Sequence, residues 1–364
     1  FTHRAINEVI KKLRKVSPDL PIYKLGTTNI KSEGEDILLE SKINTGNNLR
    51  EKMRIAEDII SKEPIYIGTT HAWLSGRYDK LFIKEKYDVG IIDEASQVLL
   101  PNALGVLRLV KKFILIGDHM QLPAVVQSDE AEELKETLFE DLFNKVGDES
   151  GLKIMLDVQF RMPQVISDFI SNEFYDGKLK TSEIVSENKL DIHVEDSPYS
   201  SIYNPDYSMA LVDISTSDDG FFVRKVSPPE ASVVVGILRD LIKGGVSIEK
   251  IGIIAPFRAQ VAEIRRQIET ELFEEIDSVQ IKSLVDTVDR FQGDERDVII
   301  FSLTISDENI PKILRDERRI NVALSRSKKK FIGVGRWSKI DECDTLRHLK
   351  EYVINSDNCI LINT

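Results

Sequence analysis

Short apolar runs punctuate this chain at Ile65 to Gly68, Val89 to Asp93, Phe113 to Gly117, Ile154 to Leu156, Ala210 to Ile214, Ile251 to Ala255, Val298 to Leu303, Phe331 to Val334 and Cys359 to Ile362. Runs of this kind predict strands buried on both faces. The segments between them have helical spacing, as in Ala5, Ile6, Val9, Ile10 and Leu13, and again in Ile320, Ala323 and Leu324. Strands alternating with helices predict parallel sheets covered by helices on both sides, an α/β fold. A chain of 364 residues, at roughly 150 residues per domain, predicts two domains. The acidic linker GDESG at 147–151 places the boundary, giving domains at 1–150 and 151–364. Lys178 to Ser208, rich in Ser, Asn, Asp and Pro and without clear period, reads as an insertion in the second domain.

Composition narrows the function. Forty-nine basic and sixty-one acidic side chains give a formal charge of -12, and 41% of residues are apolar, which excludes a disordered or fibrous chain. That charge also argues against coating nucleic acid with the whole surface, while leaving room for a local basic groove. One candidate runs from Lys312 to Lys339, where ten Lys and Arg face only Asp316 and Glu317. Two cysteines, Cys343 and Cys359, exclude a disulfide framework, a four-thiolate zinc site and an iron–sulfur cluster. They predict a reducing intracellular compartment, the cytoplasm or, in a eukaryote, the nucleus. No apolar run approaches the roughly 20 residues that span a bilayer. The first sixteen residues are charged, lack an apolar signal core and open on Phe1, as expected for part of a longer protein.

Several segments carry groups suited to phosphate chemistry. VGIIDEAS at 89–96 is an apolar strand that ends in two adjacent carboxylates, which repel unless a cation or proton intervenes. Asp93 would hold Mg²⁺ through its water shell, and Glu94 would polarise the water that attacks a terminal phosphate. The same residues also suit a plain helix start, with Asp93 as N-cap. A second strand runs into GDHMQLP at 117–123, where Gln121 offers both a donor and an acceptor to a γ-phosphate and its attacking water. An ordinary Gly-Asp turn is the other reading, and His119 by itself reads as structural. In LDVQFRMP at 156–163, Phe160 can stack on a base and Arg161 can grip phosphate oxygens in a fork; taken on their own, these residues fit a core Phe beside a surface Arg better.

In LVDTVDRFQGDERDVIIF at 284–301, Glu295 could accept a ribose hydroxyl and Thr287 could meet a sugar-phosphate chain, or the segment is a solvated loop. RRINVALSRSKKK at 318–330 forms a helix with Arg319 and Arg326 along one edge, able to reach one target, with Lys328 to Lys330 reading as a solvated face.

In this order and spacing, VGIIDEAS, GDHMQLP, QFRM, FQGDERD and RRINVALSR resemble motifs II to VI of superfamily 1 helicases. The resemblance is to the group containing the nonsense-decay RNA helicase, senataxin and the nuclease-helicase of Okazaki-fragment processing. FTHRAINEV at the start looks like motif Ia, and GTTHAW at 68–73 like the nucleic-acid motif after it. The resemblance implies two tandem RecA-like domains of the P-loop NTPase class, the first incomplete, with ATP in the cleft between them and translocation 5′ to 3′ along single-stranded DNA or RNA. It implies Asp93 as the Mg²⁺ ligand, Glu94 as the catalytic base and Gln121 as the γ-phosphate sensor. Phe160 would stack on adenine, Arg161 and Arg326 would contact the γ-phosphate, Glu295 the ribose, and Arg319 would join the nucleotide site. Thr2, His3, Thr69, Thr70, Pro256, Phe257 and Thr287 would line the single-strand track.

One departure stands out. The loop GxxxxGK[ST] that cradles β- and γ-phosphates is missing; GTTNIKS at 26–32 has Ile30 where the second glycine must sit. The expectation is a phosphate loop upstream of Phe1 and, for the fragment alone, poor ATP binding and little or no hydrolysis. Two rivals remain: a helicase-like scaffold that binds nucleic acid without hydrolysis, and a nucleotide switch that closes its domains without translocating.

Overall fold

A computed structural model describes residues 3–26, 37–75, 87–124, 136–214, 225–305 and 312–364. The chain divides into two compact units, one comprising Phe1–His119 and Pro123–Lys153, the other Met120–Leu122 and Ile154–Thr364. No helix among the described residues is long and apolar enough to cross a membrane.

In the first unit, β1 (Ile22–Lys24) pairs with β2 (Ile65–Ile67), and β3 (Tyr87–Ile92) with β4 (Val110–Leu115), both parallel. Helix His3–Val16 turns Ile6 and Ile10 onto Ile22, as its apolar spacing predicts. β3 and β4 depart from the expectation of strands buried on both faces, because Val89, Ile91, Phe113 and Ile114 are exposed. Among the described residues this sheet has two strands, and the core beside it gathers Ile92 and Leu115 with Ala95, Val98 and Ala103. A pair covered on one part of its surface cannot hide a continuous apolar run.

The second unit meets the α/β expectation. Its main sheet has six parallel strands in the order β12-β7-β11-β10-β8-β9. Their ranges are β7 (Met209–Asp213), β8 (Ile251–Ala255), β9 (Val285–Thr287), β10 (Arg296–Ser302), β11 (Ser327–Gly335) and β12 (Cys359–Asn363). Successive side chains of a strand point to opposite faces, so Val298 and Ile300 join a core with Ile253 and Ile264, while Ile299 and Phe301 join another with Phe169 and Trp337. Each such fully buried side chain contributes roughly 1.5–3 kcal/mol.

Two expectations fail locally. Ile154 to Leu156 is not a strand: Ile154 and Leu156 lie exposed, and only the following β5 (Val158–Gln159) finds a partner, in β6 (Lys180–Thr181). A strand needs a neighbour for its backbone groups, which apolar composition alone does not supply. The basic stretch from Lys312 to Lys339 is not an open groove either. Arg326 and Lys330 are buried, and Arg315, Arg319, Lys328 and Lys329 pair with Glu342, Asp289, Glu295 and Asp297. Lys330 donates to the carbonyls of Ile202, Asn204 and Tyr207, pinning the end of the 178–208 segment to β11, and burial pushes its ammonium down to about 7.

Glu230, in the first turn of helix Pro228–Lys243, is fully buried and accepts from Ser302 Oγ and from Thr304 N–H at 2.7 Å. Burial outweighs those bonds and pushes its carboxyl up to about 7 from the ordinary 4.5. Because the folded value is the higher one, the folded chain holds the extra proton between these limits. Its stabilising contribution is present below pH 4.5 and is lost as pH rises through 7. Glu230→Gln keeps an acceptor for both donors and removes the desolvated charge. Melting curves are expected to match wild type at pH 4.5 and to favour the variant at pH 8, by up to about 3 kcal/mol; a variant less stable at pH 8 contradicts this origin of the shift.

Candidate nucleotide and nucleic-acid sites

In the first unit, β3 delivers Asp93 to its tip, exposed, with Oδ1 accepting the Glu94 N–H at 3.0 Å. Glu94 has φ 53° and ψ 40°, a left-handed conformation that costs a non-glycine residue roughly 1–2 kcal/mol. Glu94, not Asp93, caps the short helical turn Ala95–Gln97, which corrects the helix-start reading. The tip of β4 lies against this turn: Ile116 N–H donates to the Ile92 carbonyl at 2.9 Å, and Ala95 N–H to the Ile116 carbonyl at 2.8 Å. A Cβ on Gly117 would stand 2.9 Å from the Ser96 nitrogen, so only glycine lets the two tips approach this closely. His119 stacks on Phe143 at 4.1 Å between ring centroids, in keeping with a structural part. An exposed carboxylate with one oxygen committed to a backbone N–H fits a hydrated divalent cation held through the other oxygen.

Thr69 caps helix Thr70–Leu74 by accepting from Ala72 N–H at 3.2 Å, with Thr70 in its first turn. His3 begins helix His3–Val16, and Thr2 lies outside the described residues.

In the second unit, four of the residues expected at a nucleotide come together. Helix Glu317–Ser325 ends at Arg326, which is 2% exposed. Its Nε donates to the Val322 carbonyl at 3.1 Å, its Nη1 to the Asp294 carbonyl at 3.4 Å, and its Nη2 to Ser325 Oγ at 2.9 Å and Gln121 Oε1 at 3.4 Å. Arg161 Nε donates to Glu295 Oε2 at 2.8 Å and its Nη1 to the Ser325 carbonyl at 3.1 Å. Lys328 meets the other Glu295 oxygen at 3.2 Å. Burial alone would raise the Glu295 carboxyl, but the Arg161 and Lys328 cations outweigh it and hold it below the ordinary range. The cluster sits where β10 and β11 begin, beside a register shift between Arg296 and Val298; bulges of this kind re-aim side chains next to active sites. Phe160 stands next to Arg161, 64% exposed, with a ring face available for stacking.

Arg319 does not join this cluster. It pairs with Asp316 and, at 3.3 Å, with Asp289. Seven residues along a helix separate two side chains by about 10.5 Å, so an edge shared with Arg326 does not give a shared target.

Two supporting residues were not legible beforehand. Gln159 Oε1 accepts from the N–H groups of Arg161 and Met162, both at 2.8 Å, shaping the turn that presents Phe160 and Arg161. Asn321 Nδ2 donates to the Met120 carbonyl at 2.8 Å, holding the segment that carries Gln121. For Asn321, a polar residue inside an apolar helical pattern is the available signal, and it names no partner; Gln159, at the end of β5, carries none.

At the C-terminal ends of the strands, β8 ends at Ala255 in register with Thr287 of β9, which brings Pro256, Phe257 and Thr287 side by side. They line a cavity of about 510 Å³ together with Lys225, Arg258, Asp289 and Arg290. Lys225 Nζ lies 5.2 Å from the centre of the Phe257 ring. Three cations, one acid and an aromatic face suit a phosphate chain with stacked bases. Arg258 and Arg290 stand inside the segments APFRAQ and VDRFQG; the isolated Lys225 carries no sequence signal.

Comparison with known proteins bears on this arrangement. Two family models, each described as AAA domain, match residues 3–129 and 134–338. The chain is 29% identical over 338 residues to the DNA replication ATP-dependent helicase/nuclease DNA2 of Gallus gallus, covering 92% of this chain and 31% of that protein. It is 34% identical to the uncharacterized ATP-dependent helicase MJ0104 of Methanocaldococcus jannaschii, with 79% of this chain and 41% of that protein covered. The DNA polymerase alpha-associated DNA helicase A of Saccharomyces cerevisiae is 29% identical over 83% of this chain and 46% of its own length. The chain thus spans less than half the length of each of these relatives. Among solved structures, the PRRSV helicase aligns with 94% of this chain and 47% of its own at 12% identity and a TM-score of 0.43. With one of the two models matching more than half its length, the chain belongs to the AAA-domain family, among the superfamily 1 helicases.

Proposed function

We propose that this chain is the ATP-driven core of a helicase that moves 5′ to 3′ along single-stranded DNA or RNA, in the nucleus or cytoplasm. Residues 1–150 and 151–364 would be its first and second RecA-like domains. The observation that carries this reading is the meeting of Gln121, Arg161, Glu295 and Arg326 in one cluster, from segments far apart in sequence. Relatives named ATP-dependent helicases support it.

Two forked guanidiniums neutralise charge that develops on a transferred phosphoryl group, and Gln121 can hold the attacking water beside them. In the first unit, Glu94 at the tip of β3 is the catalytic base in this reading. Asp93 fits Mg²⁺, which when bound neutralises charge on the terminal phosphate oxygens. Glu295 exchanges a cation partner for a ribose hydroxyl, and Phe160 stacks on the base. On that last point, Phe160→Ala is expected to raise KM for ATP while sparing kcat, since a stacked aromatic pair is worth about 0.5–1.5 kcal/mol; an unchanged KM places the base elsewhere.

At the C-terminal ends of β8 and β9, Lys225, Arg258 and Arg290 meet phosphates and Phe257 meets bases, a grip indifferent to sequence. The test is steady-state ATP hydrolysis by the intact protein with and without poly(dT) or poly(U), and strand displacement from duplexes with 5′ or 3′ overhangs. Hydrolysis strongly stimulated by single strands, with displacement from 5′ overhangs, is the expected result. Hydrolysis indifferent to strands points to a switch, and strand binding without hydrolysis to a scaffold; either defeats the proposal.

A further inference from the structure

We infer that Gln260 is a positioning residue for the basic cavity of the second unit, clamping together the two chain segments that carry Lys225 and the aromatic face of Phe257. The inference rests on the reading of that cavity as a single-strand site. Gln260 lies in the first turn of helix Arg258–Glu271 and is 0% exposed. Its side-chain amide imitates a backbone pairing: Oε1 accepts from Ser227 N–H at 2.7 Å, and Nε2 donates to the Ser227 carbonyl at 3.2 Å. Two residues before Ser227 stands Lys225, and three before Gln260 stands Phe257, whose ring lies under the Lys225 ammonium. The clamp therefore joins the roots of two side chains that meet in the wall of the cavity.

The clamp is itself braced. Nε2 also donates to Ser302 Oγ at 3.1 Å, and Ser302 Oγ donates to Glu230, which accepts Thr304 N–H as well. The chain of bonds thus ties the end of β10 to the starts of two helices in a fully buried setting, where each bond is strong and a missing partner is costly. Lys225 and Thr304, at the two margins of this network, have φ 69° and 56°. Non-glycine residues keep such conformations only when their surroundings hold them, and these clusters of strain occur at ligand clamps. A packing role alone asks for none of this: an apolar side chain of equal volume would fill the space.

The test is a double-mutant cycle in the intact protein, read as the affinity for a fluorescent oligo(dT) and as hydrolysis without nucleic acid. Gln260→Met and Lys225→Ala are each expected to weaken oligo(dT) binding several-fold. Gln260→Met should leave strand-free kcat and KM for ATP unchanged. In the Gln260→Met background the Lys225→Ala loss should vanish, because Lys225 is no longer held over Phe257. Losses that multiply, or a Gln260→Met protein that binds as wild type does, overturn the inference. Should Gln260→Met not fold, Ser302→Ala removes the brace with a smaller change and must show the same dependence on Lys225. If Lys225→Ala and Phe257→Ala both bind oligo(dT) normally, the single-strand reading of the cavity fails instead, which separates the two outcomes.

Discussion

Replacing Glu94 by Gln is expected to lower ATP turnover of the intact protein by about 10²–10⁴-fold, the usual worth of a positioned general base, with little change in ATP binding. The substitution keeps size and hydrogen-bonding reach, and the turn is held by backbone bonds of Ala95 and Ile116 that do not involve the carboxylate. A second variant separates chemistry from backbone. Glu94 holds a left-handed conformation, so Glu94→Gly relieves a strain of about 1 kcal/mol and should melt no lower than wild type while remaining just as inactive. Equilibrium binding of a fluorescent ATP analogue and single-turnover hydrolysis check both. Turnover retained by Glu94→Gln removes this residue from the role of base.

Arg326→Ala should be at least as damaging to rate, by about 10³–10⁵-fold if its guanidinium stabilises the transferred phosphoryl group. It also removes the bonds from the guanidinium to the Val322 and Asp294 carbonyls and to Ser325 Oγ, each worth about 1.5–3 kcal/mol as a bond from a charged group. Loss of activity in this variant therefore mixes chemistry with stability. Arg326→Lys resolves the mixture, because it keeps the charge but cannot reproduce a planar fork serving several acceptors at once. Its expected signature is a lowered kcat with a melting temperature closer to wild type than that of Arg326→Ala. A lysine variant with wild-type kcat means that charge alone, or neither feature, matters here.

Sequence made the second unit's sheet readable because helices cover both of its faces, so β7, β8 and β10 each carry an unbroken apolar run, Met209–Val212, Ile251–Ala255 and Val298–Phe301. The same rule misled at Ile154 to Leu156, where the run is apolar but has no strand beside it, and at β3 and β4, whose outer residues stay exposed. β9 escaped notice because its residues, Val285, Asp286 and Thr287, are mostly polar and pair only with the end of β8. Among the site residues, the paired acids of DEAS were legible as two carboxylates at a strand tip. Arg161, Glu295 and Arg326 were legible as chemistry, but their meeting was not, since it joins residues 134 or more positions apart. The run Lys328 to Lys330 read as one solvated face, yet the chain pairs Lys328 and Lys329 with Glu295 and Asp297 and buries Lys330 under three carbonyls. The Gln260 clamp leaves no sequence trace, because Ser227, Ser302 and Glu230 acquire meaning only as its neighbours.

Central to the proposed function is that the guanidiniums of Arg161 and Arg326, which the second unit brings together on Ser325, serve one turnover of ATP. Single-turnover hydrolysis by Arg161→Lys, Arg326→Lys and the double variant tests it most directly, since groups acting on one transition state give losses that do not multiply. The expected result is a double variant about as slow as the slower single one, with ATP still bound in all three. A double variant whose loss equals the product of the single losses, or either single variant hydrolysing at the wild-type rate, would contradict it.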